Sequence, residues 1–575
     1  MTNQPPPPTG SSPSHLSQIS RLRAAFKPRR IILAGVLLWA ALLSFGANFY
    51  LSEQRNIFKD EAIELLQSVD LPTNGFYFFA PAHKDAWADF VEAGGIYLNR
   101  LFLTADLHDL RFLKTFHVFV FTLATLIIYL SLRKAFTAEA AFWGALGFCT
   151  SSLNLFYNQV LTRNYLSPLI SGAILFCVLK GFSGVNLKKQ VFWTVAGAGA
   201  ALVLGTFSYS AFRPLAIALC AALVLYAFVF SEFRLAAVLQ GIGLAVLLAL
   251  GLGLSIGVLL WLSNTPFELF LKRGNYAVAP AAMMLKHVWL TIISPIFLTR
   301  NGAFIIDETH WSFAQAYLSW PLAGFYILGL VRGMFALGQN NRQANFIICW
   351  TTLAAQTILA AGGPSVKYTY ALFPFYVYIA FSGVDACLRL IKHGCHREVS
   401  TRMFSASVSL PGLPPGQRLY TALGALRGLV LLSLFLDLGH LCSRPVFLSY
   451  PQNDPGAYVT AHHYQNVHRL AIDTATRAIK LASLKPEARI FTRSIWGPEI
   501  VFWMIRPYPG ISKVFSPENL EAMSALHKEK EQFLVINDAM DWTEIENFKI
   551  TAARLNIKLH IVTSLVPSYL GPVPQ

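Results

Sequence analysis

Residues 21–51 read RLRAAFKPRRIILAGVLLWAALLSFGANFYL, and this stretch decides what kind of protein the chain is. Its first ten positions hold five basic residues and no acid. An apolar run follows that reaches the roughly 20 residues a helix needs to cross a hydrocarbon core. The run is long and has no small-residue cleavage site, so it reads as a retained signal-anchor. The basic flank places the N-terminus in the cytoplasm. Residues 1–20, rich in Pro and Ser, read as a disordered tail.

Working outward, further apolar runs fall at 113–132, 139–157, 165–180, 191–211, 214–231, 236–262, 316–336, 344–362, 369–390 and 420–441. Together with the first they predict about eleven spans. The composition agrees, because only 13% of the 575 residues are charged and 54% are hydrophobic. A soluble globule carries about 25% charged residues. The net charge of +16 could point to nucleic acid. Its residues instead cluster in alternate loops: Arg133 and Lys134; Lys180, Lys188 and Lys189; Arg234; Arg332 and Arg342; then Arg389, Lys392, Arg397, Arg402 and Arg418. That is positive-inside patterning, so the charge reports topology and no nucleic-acid partner is expected. The seven cysteines are scattered without a CxxC or zinc-like spacing, so no disulfide framework is implied.

An odd number of spans puts the loop 52–112 and the tail 442–575 on the outer side. Residues 283–298, MMLKHVWLTIISPIFL, are broken by Lys286, His287 and Pro295 and read as interfacial or re-entrant. In the tail, ARIFTRSI, QFLVIND and IKLHIVTSL read as strands, and SPENLEAMSALHKEK as a helix capped by Ser516. No glycine-rich phosphate loop follows any of these strands, which argues against nucleotide binding. The predicted organisation is a basic cytoplasmic tail (1–30), a transmembrane bundle (31–441) and a small extracytoplasmic α/β domain (442–575).

Topology does not explain basic residues on the outer side. Arg163 lies in YNQVLTRNYLSP, Arg213 in FSYSAFRP, Lys272 and Arg273 in SNTPFELFLKRGNY, and Lys367 in GGPSVKYTYALFP. Each sits at the outer end of a different helix pair. Cations at membrane depth mark a pathway or an anionic ligand, and guanidiniums suit phosphate oxygens. The first outer loop adds FKDEAIELLQSVDL at 58–71, which opens with Asp60 and Glu61. Adjacent acids are a common start for a solvated helix. They also suit a base that takes a proton from an acceptor while a phosphate leaves toward fixed cations. His83, Asp85, Asp307 and His310 offer donors for a divalent metal, but their spacing matches no ligand motif and no cofactor is assigned.

The ordered set resembles the GT-C glycosyltransferase superfamily, in the branch holding protein O-mannosyltransferases and lipid A aminoarabinose transferases. The DE pair follows the first span, and LHDLRFLKTFHVFVFTLATLIIYLSLRKAF, with Arg111, resembles the second. TRNY, SYSAFRP, NTPFELFLKRGNYAV and KYTYALFPFYVYIAF follow in the family's order, so the similarity covers residues 31–390. The aminoarabinose branch has a KPPL-type stretch before a Trp in the first loop. Here the stretch is FAPAHKDAW, with Lys84 displaced relative to Trp87.

The resemblance implies a GT-C-like helical membrane enzyme that moves a sugar from a polyprenyl-phosphate donor to a lipid, glycan or protein acceptor. Asp60 is then the catalytic base and Glu61 its support. Arg163, Arg213, Arg273 and Lys367 hold the phosphate, and Lys84, Tyr209 and Tyr370 contact substrate. Two other readings stay open: a transporter of an anionic solute, and a non-catalytic envelope scaffold.

Overall fold

The computed structural model describes residues 28–51, 59–72, 75–80, 91–103, 109–184, 186–230, 235–272, 318–337, 341–361, 369–400, 415–443, 480, 489–493, 512–513, 532–536 and 542–563. Among them, eight helices are long and apolar enough to cross a membrane, and the shorter apolar helix Pro321–Met334 accompanies them.

The first span is α1 (Pro28–Phe45), which continues through a π-helical turn to Leu51. Helix α2 (Lys59–Asp70) follows in the loop after this span, then the two-residue strands β1 (Phe79–Ala80) and β2 (Val91–Glu92), paired antiparallel, and α3 (Ala93–Phe102). The bundle goes on with α4 (Arg111–Ala135), α5 (Ala138–Thr150), α6 (Ser152–Gln159) and α7 (Ser167–Gly181). After these come α8 (Leu187–Ser208), α9 (Phe212–Phe230), α10 (Leu235–Leu262) and the short α11 (Phe267–Lys272). It closes with α12 (Trp320–Met334), α13 (Arg342–Ala361), α14 (Phe373–Ser400) and α15 (Pro415–Ser443).

The apolar run at 139–157 is two helices rather than one. Ser151 ends α5 and caps α6, its hydroxyl accepting from the Asn154 backbone N–H at 3.5 Å. An apolar count cannot see such a break, because a single serine supplies the alternative partner. The run at 344–362 is helical as α13, and the segment 283–298 lies outside the described residues.

Helices α4 and α7 pack on one another, as do α9 and α13, and α12 and α14. The last pair is unusually close: a Cβ on Gly329 would overlap the Ile379 carbonyl, and one on Gly383 the Phe325 carbonyl. Gly329 and Gly333 form a GxxxG step, and Gly333 meets Cys349 of α13 in the same way. Small residues let helices pack tightly where lipid offers no hydrophobic drive to associate.

Strands β3 (Arg489–Arg493), β4 (Ser512–Lys513), β5 (Gln532–Ile536) and β6 (Leu559–Thr563) form a parallel sheet in the order β4-β3-β5-β6. Helix α16 (Trp542–Arg554) links β5 to β6, the crossover that parallel neighbours require. Three of these strands lie within the stretches read as strands from β-branched content. The expected helix at 516–530 lies outside the described residues.

Candidate active site

Helix α2 forms because KDEAIELLQSVD holds good helix formers and neither Gly nor Pro. Glu61 and Glu64, three residues apart, share one face. Both are buried, which an isolated carboxylate could not sustain. The Glu61 carboxylate accepts from the Leu161 backbone N–H at 2.7 Å. Glu64 accepts from the Arg163 backbone N–H at 2.6 Å and from Arg163 Nη1 at 2.5 Å. The two acids thus clamp the loop between α6 and α7.

A third acid, Glu92 at the end of β2, is fully buried. Its carboxylate takes Arg213 Nη2 at 3.1 Å on one oxygen and faces Arg163 Nε at 3.5 Å with the other. Arg213 also donates to the Phe270 carbonyl at 2.9 Å and lies over the Phe270 ring, 4.2 Å from its centroid. The Arg163 guanidinium sits 5.5 Å from the centre of the Tyr209 ring. Two basic residues from different hairpin tips therefore meet at one carboxylate. Gly95, in the first turn of α3, makes room for this: a Cβ there would overlap Arg163.

Tyr370 is buried on the far side of the same loop, where its hydroxyl donates to Asn154 Oδ1 at 2.7 Å and its ring stacks on Tyr157 at 4.2 Å. Behind it, Asn158 exchanges hydrogen bonds with His117, and Ser44 and Asn48 of α1 bond to its side chain. His117 stacks on Tyr165 at 3.8 Å, so α1, α4 and α6 brace the loop from inside the bundle. Arg111 at the start of α4 pairs with Asp109 at 2.7 Å. Its side-chain and backbone hydrogen bonds hold the Asp109 carboxyl down at about 2.

Of the residues singled out from sequence, Glu61, Arg163, Tyr209 and Arg213 are brought into one connected cluster, with Tyr370 a layer behind. Asp60 occupies the first turn of α2, one residue before Glu61 and four before Glu64. Lys84, Arg273 and Lys367 lie outside the described residues, as do His83, Asp85, Asp307 and His310. Among the described residues, no group of three or more His, Cys, Asp or Glu side chains could hold a metal ion.

Glu64 and Glu92 escaped the sequence reading. Glu64 follows Asp60 by one helical turn, and Glu92 stands in FVEAGG beside two glycines that permit close approach. Those were the available signals.

No protein-family model and no curated protein matches the sequence. Solved structures do. The oligosaccharyltransferase of Archaeoglobus fulgidus, solved with a tethered acceptor peptide, superposes with a TM-score of 0.50 at 13% identity, over 91% of this chain and 68% of that one. ArnT of Cupriavidus metallidurans, solved with undecaprenyl phosphate, gives a TM-score of 0.49 at 13% identity, over 87% of this chain and 88% of that one. The mycobacterial arabinofuranosyltransferase AftD gives 0.40 at 13% identity, over 86% of this chain and 34% of that one. With its multiple membrane-length apolar helices, this chain is a multi-pass membrane protein whose structural neighbours are GT-C glycosyltransferases, and it shares the fold of the Archaeoglobus oligosaccharyltransferase among them.

Proposed function

We propose that the chain is a glycosyltransferase of the inner membrane. It takes a sugar from a polyprenyl-phosphate donor and places it on a lipid, glycan or protein acceptor at the outer face. The observation that carries this reading is the convergence of Arg163 and Arg213 on Glu92, beside the helix that bears Asp60 and Glu61.

The acceptor hydroxyl or amine attacks the anomeric carbon, and its proton passes to the Asp60 carboxylate. The bond from that carbon to the phosphate oxygen breaks, and its electron pair stays on the phosphate. A single displacement of this kind inverts the anomeric centre. Negative charge grows on the leaving phosphate, so cations fixed in advance lower the barrier. Glu64 and Glu92 hold two guanidiniums in place, and Arg273, Lys367 and Lys84 complete the phosphate grip. Glu61 anchors the Leu161 backbone and with it the acceptor side of the site. Tyr209 and Tyr370 position sugar or phosphate. The N-terminus lies in the cytoplasm, and the C-terminal α/β unit lies outside and guides the acceptor.

The test is Asp60→Asn, with lipid, glycan and protein fractions compared by mass spectrometry against cells carrying or lacking the intact chain. A saccharide that disappears in the deletion and in Asp60→Asn, with membrane expression unchanged, is the expected result. A saccharide that persists in Asp60→Asn removes the base, and no missing saccharide in the deletion removes the transferase.

A further inference from the structure

Helices α1, α5 and α15 line an open groove of about 550 Å³, within the roughly 300–1,000 Å³ typical of ligand sites. Its walls include Val36 and Trp39 from α1, Trp143 and Leu146 from α5, and Leu434 and Leu438 from α15. The groove is almost wholly apolar. Gly35 forms part of the wall, and a Cβ built on it meets nothing within 4 Å.

The mouth of the groove is charged. Arg427 of α15 lies 2.7 Å from Glu139 in the first turn of α5, and Lys392 of α14 approaches the same carboxylate at 3.5 Å. Two cations share one acid, and both are nearly half exposed. The Arg427–Glu139 contact also sets the direction of the groove. From it α15 and α5 run in parallel, so Leu434 and Leu438 stand level with Leu146 and Thr150 farther along the wall. Along α5, Phe142 to Thr150 is about 12 Å of rise, most of one leaflet of a hydrocarbon core about 30 Å thick.

This mouth lies at the opposite end of α4 from the candidate active site. His117, near the start of α4, touches Asn158 and Tyr165, whereas α4 ends at Ala135, three residues before α5 begins. A donor whose phosphate sat at Arg163 could not also put it at Arg427. The groove therefore suits a second lipid.

We infer that this groove binds one anionic glycerophospholipid from the leaflet facing the N-termini of α1, α5 and α15, an acyl chain lying along Gly35 and its phosphate held by Arg427 and Lys392. Burial of the chain supplies affinity, and the net positive mouth supplies headgroup choice. Setting the donor aside rests on the proposed placement of its phosphate at Arg163, whereas the groove and its charged mouth stand on the geometry alone.

The test uses the full chain, purified in detergent and delipidated, then offered phosphatidylglycerol, phosphatidylcholine or undecaprenyl phosphate and read by native mass spectrometry. One phosphatidylglycerol per chain should be retained in preference to phosphatidylcholine. Gly35→Leu should lower that retention about tenfold or more by filling the groove. Arg427→Gln with Lys392→Gln should leave binding but abolish the headgroup preference. The inference fails if the intact chain holds the two phospholipids equally, if undecaprenyl phosphate displaces phosphatidylglycerol, or if Gly35→Leu binds as before. It also fails if deleting residues 1–27 raises retention, which would make the chain's own tail the occupant. Should Gly35→Leu not fold, the Arg427 and Lys392 pair still decides, because unchanged preference there overturns the headgroup contact.

Discussion

The Glu92 carboxylate lies 3.1 Å from Arg213 Nη2 and, through its other oxygen, 3.5 Å from Arg163 Nε, so one buried acid joins the start of α9 to the loop between α6 and α7. Removing one partner from a buried ion pair leaves charge that the interior cannot solvate, at a cost of about 3–5 kcal/mol. Glu92→Gln keeps the volume and removes the charge. It should lower the apparent melting temperature in detergent by several degrees at fixed scan rate, with transfer activity falling further than stability. An unchanged melting temperature would mean that the two guanidiniums are held by other groups.

Arg163 engages its partners in two directions, Nη1 toward Glu64 and Nε toward Glu92. A lysine keeps the charge and loses the planar fork. Arg163→Lys can satisfy one acid at a time and should cost roughly 1.5–3 kcal/mol, the worth of a hydrogen bond to a charged group. Arg163→Ala should cost more, because Glu64 then stays buried without its cation. Chemical denaturation of the two variants side by side checks the order; equal losses would show that the fork is irrelevant.

Helix packing offers a cleaner contrast, since Gly324 and Gly329 share α12. A Cβ at Gly324 meets nothing within 4 Å, whereas one at Gly329 overlaps the Ile379 carbonyl of α14. Gly329→Leu should destroy a monodisperse size-exclusion profile, and Gly324→Leu should leave it intact. Backbone cannot move aside as a flexible side chain can, so this overpacking should exceed the usual 1–3 kcal/mol or so.

These residues also show what a sequence can reveal. Eight of the eleven expected spans appear as membrane-length apolar helices among the described residues, and they were readable because lipid imposes a length and forbids charge, a rule that acts on each segment alone. Arg163 and Arg213 stood out for the same reason, being cations where topology had no use for them. Glu64 and Glu92 did not, because an acid one turn along an amphipathic helix, or at the end of a two-residue strand, looks solvated until other segments close over it. Their burial is a tertiary fact carried by Gly95 and the Leu161–Arg163 backbone. The break at Ser151 was hidden by composition, yet its chemistry is local: a serine three residues before Asn154 is a helix start. In the tail, β-branched runs marked strands, and α16 went unremarked between two of them.

Tyr370 separates a structural role from a chemical one. Its hydroxyl donates to Asn154 Oδ1 at 2.7 Å while its ring stacks on Tyr157. Tyr370→Phe keeps the ring and deletes the bond, which should cost about 0.5–1.5 kcal/mol. If the hydroxyl only ties the turn before α14 to α6, Tyr370→Phe and Asn154→Ala should not add, because either change already removes their shared bond. Activity should then follow stability in both variants. If the hydroxyl positions sugar or phosphate, Tyr370→Phe should depress the transfer rate at a temperature where both proteins are fully folded, and Asn154→Ala should do so less. Measuring turnover and melting temperature on the same four samples, the intact chain, each single variant and the double, distinguishes the two roles directly.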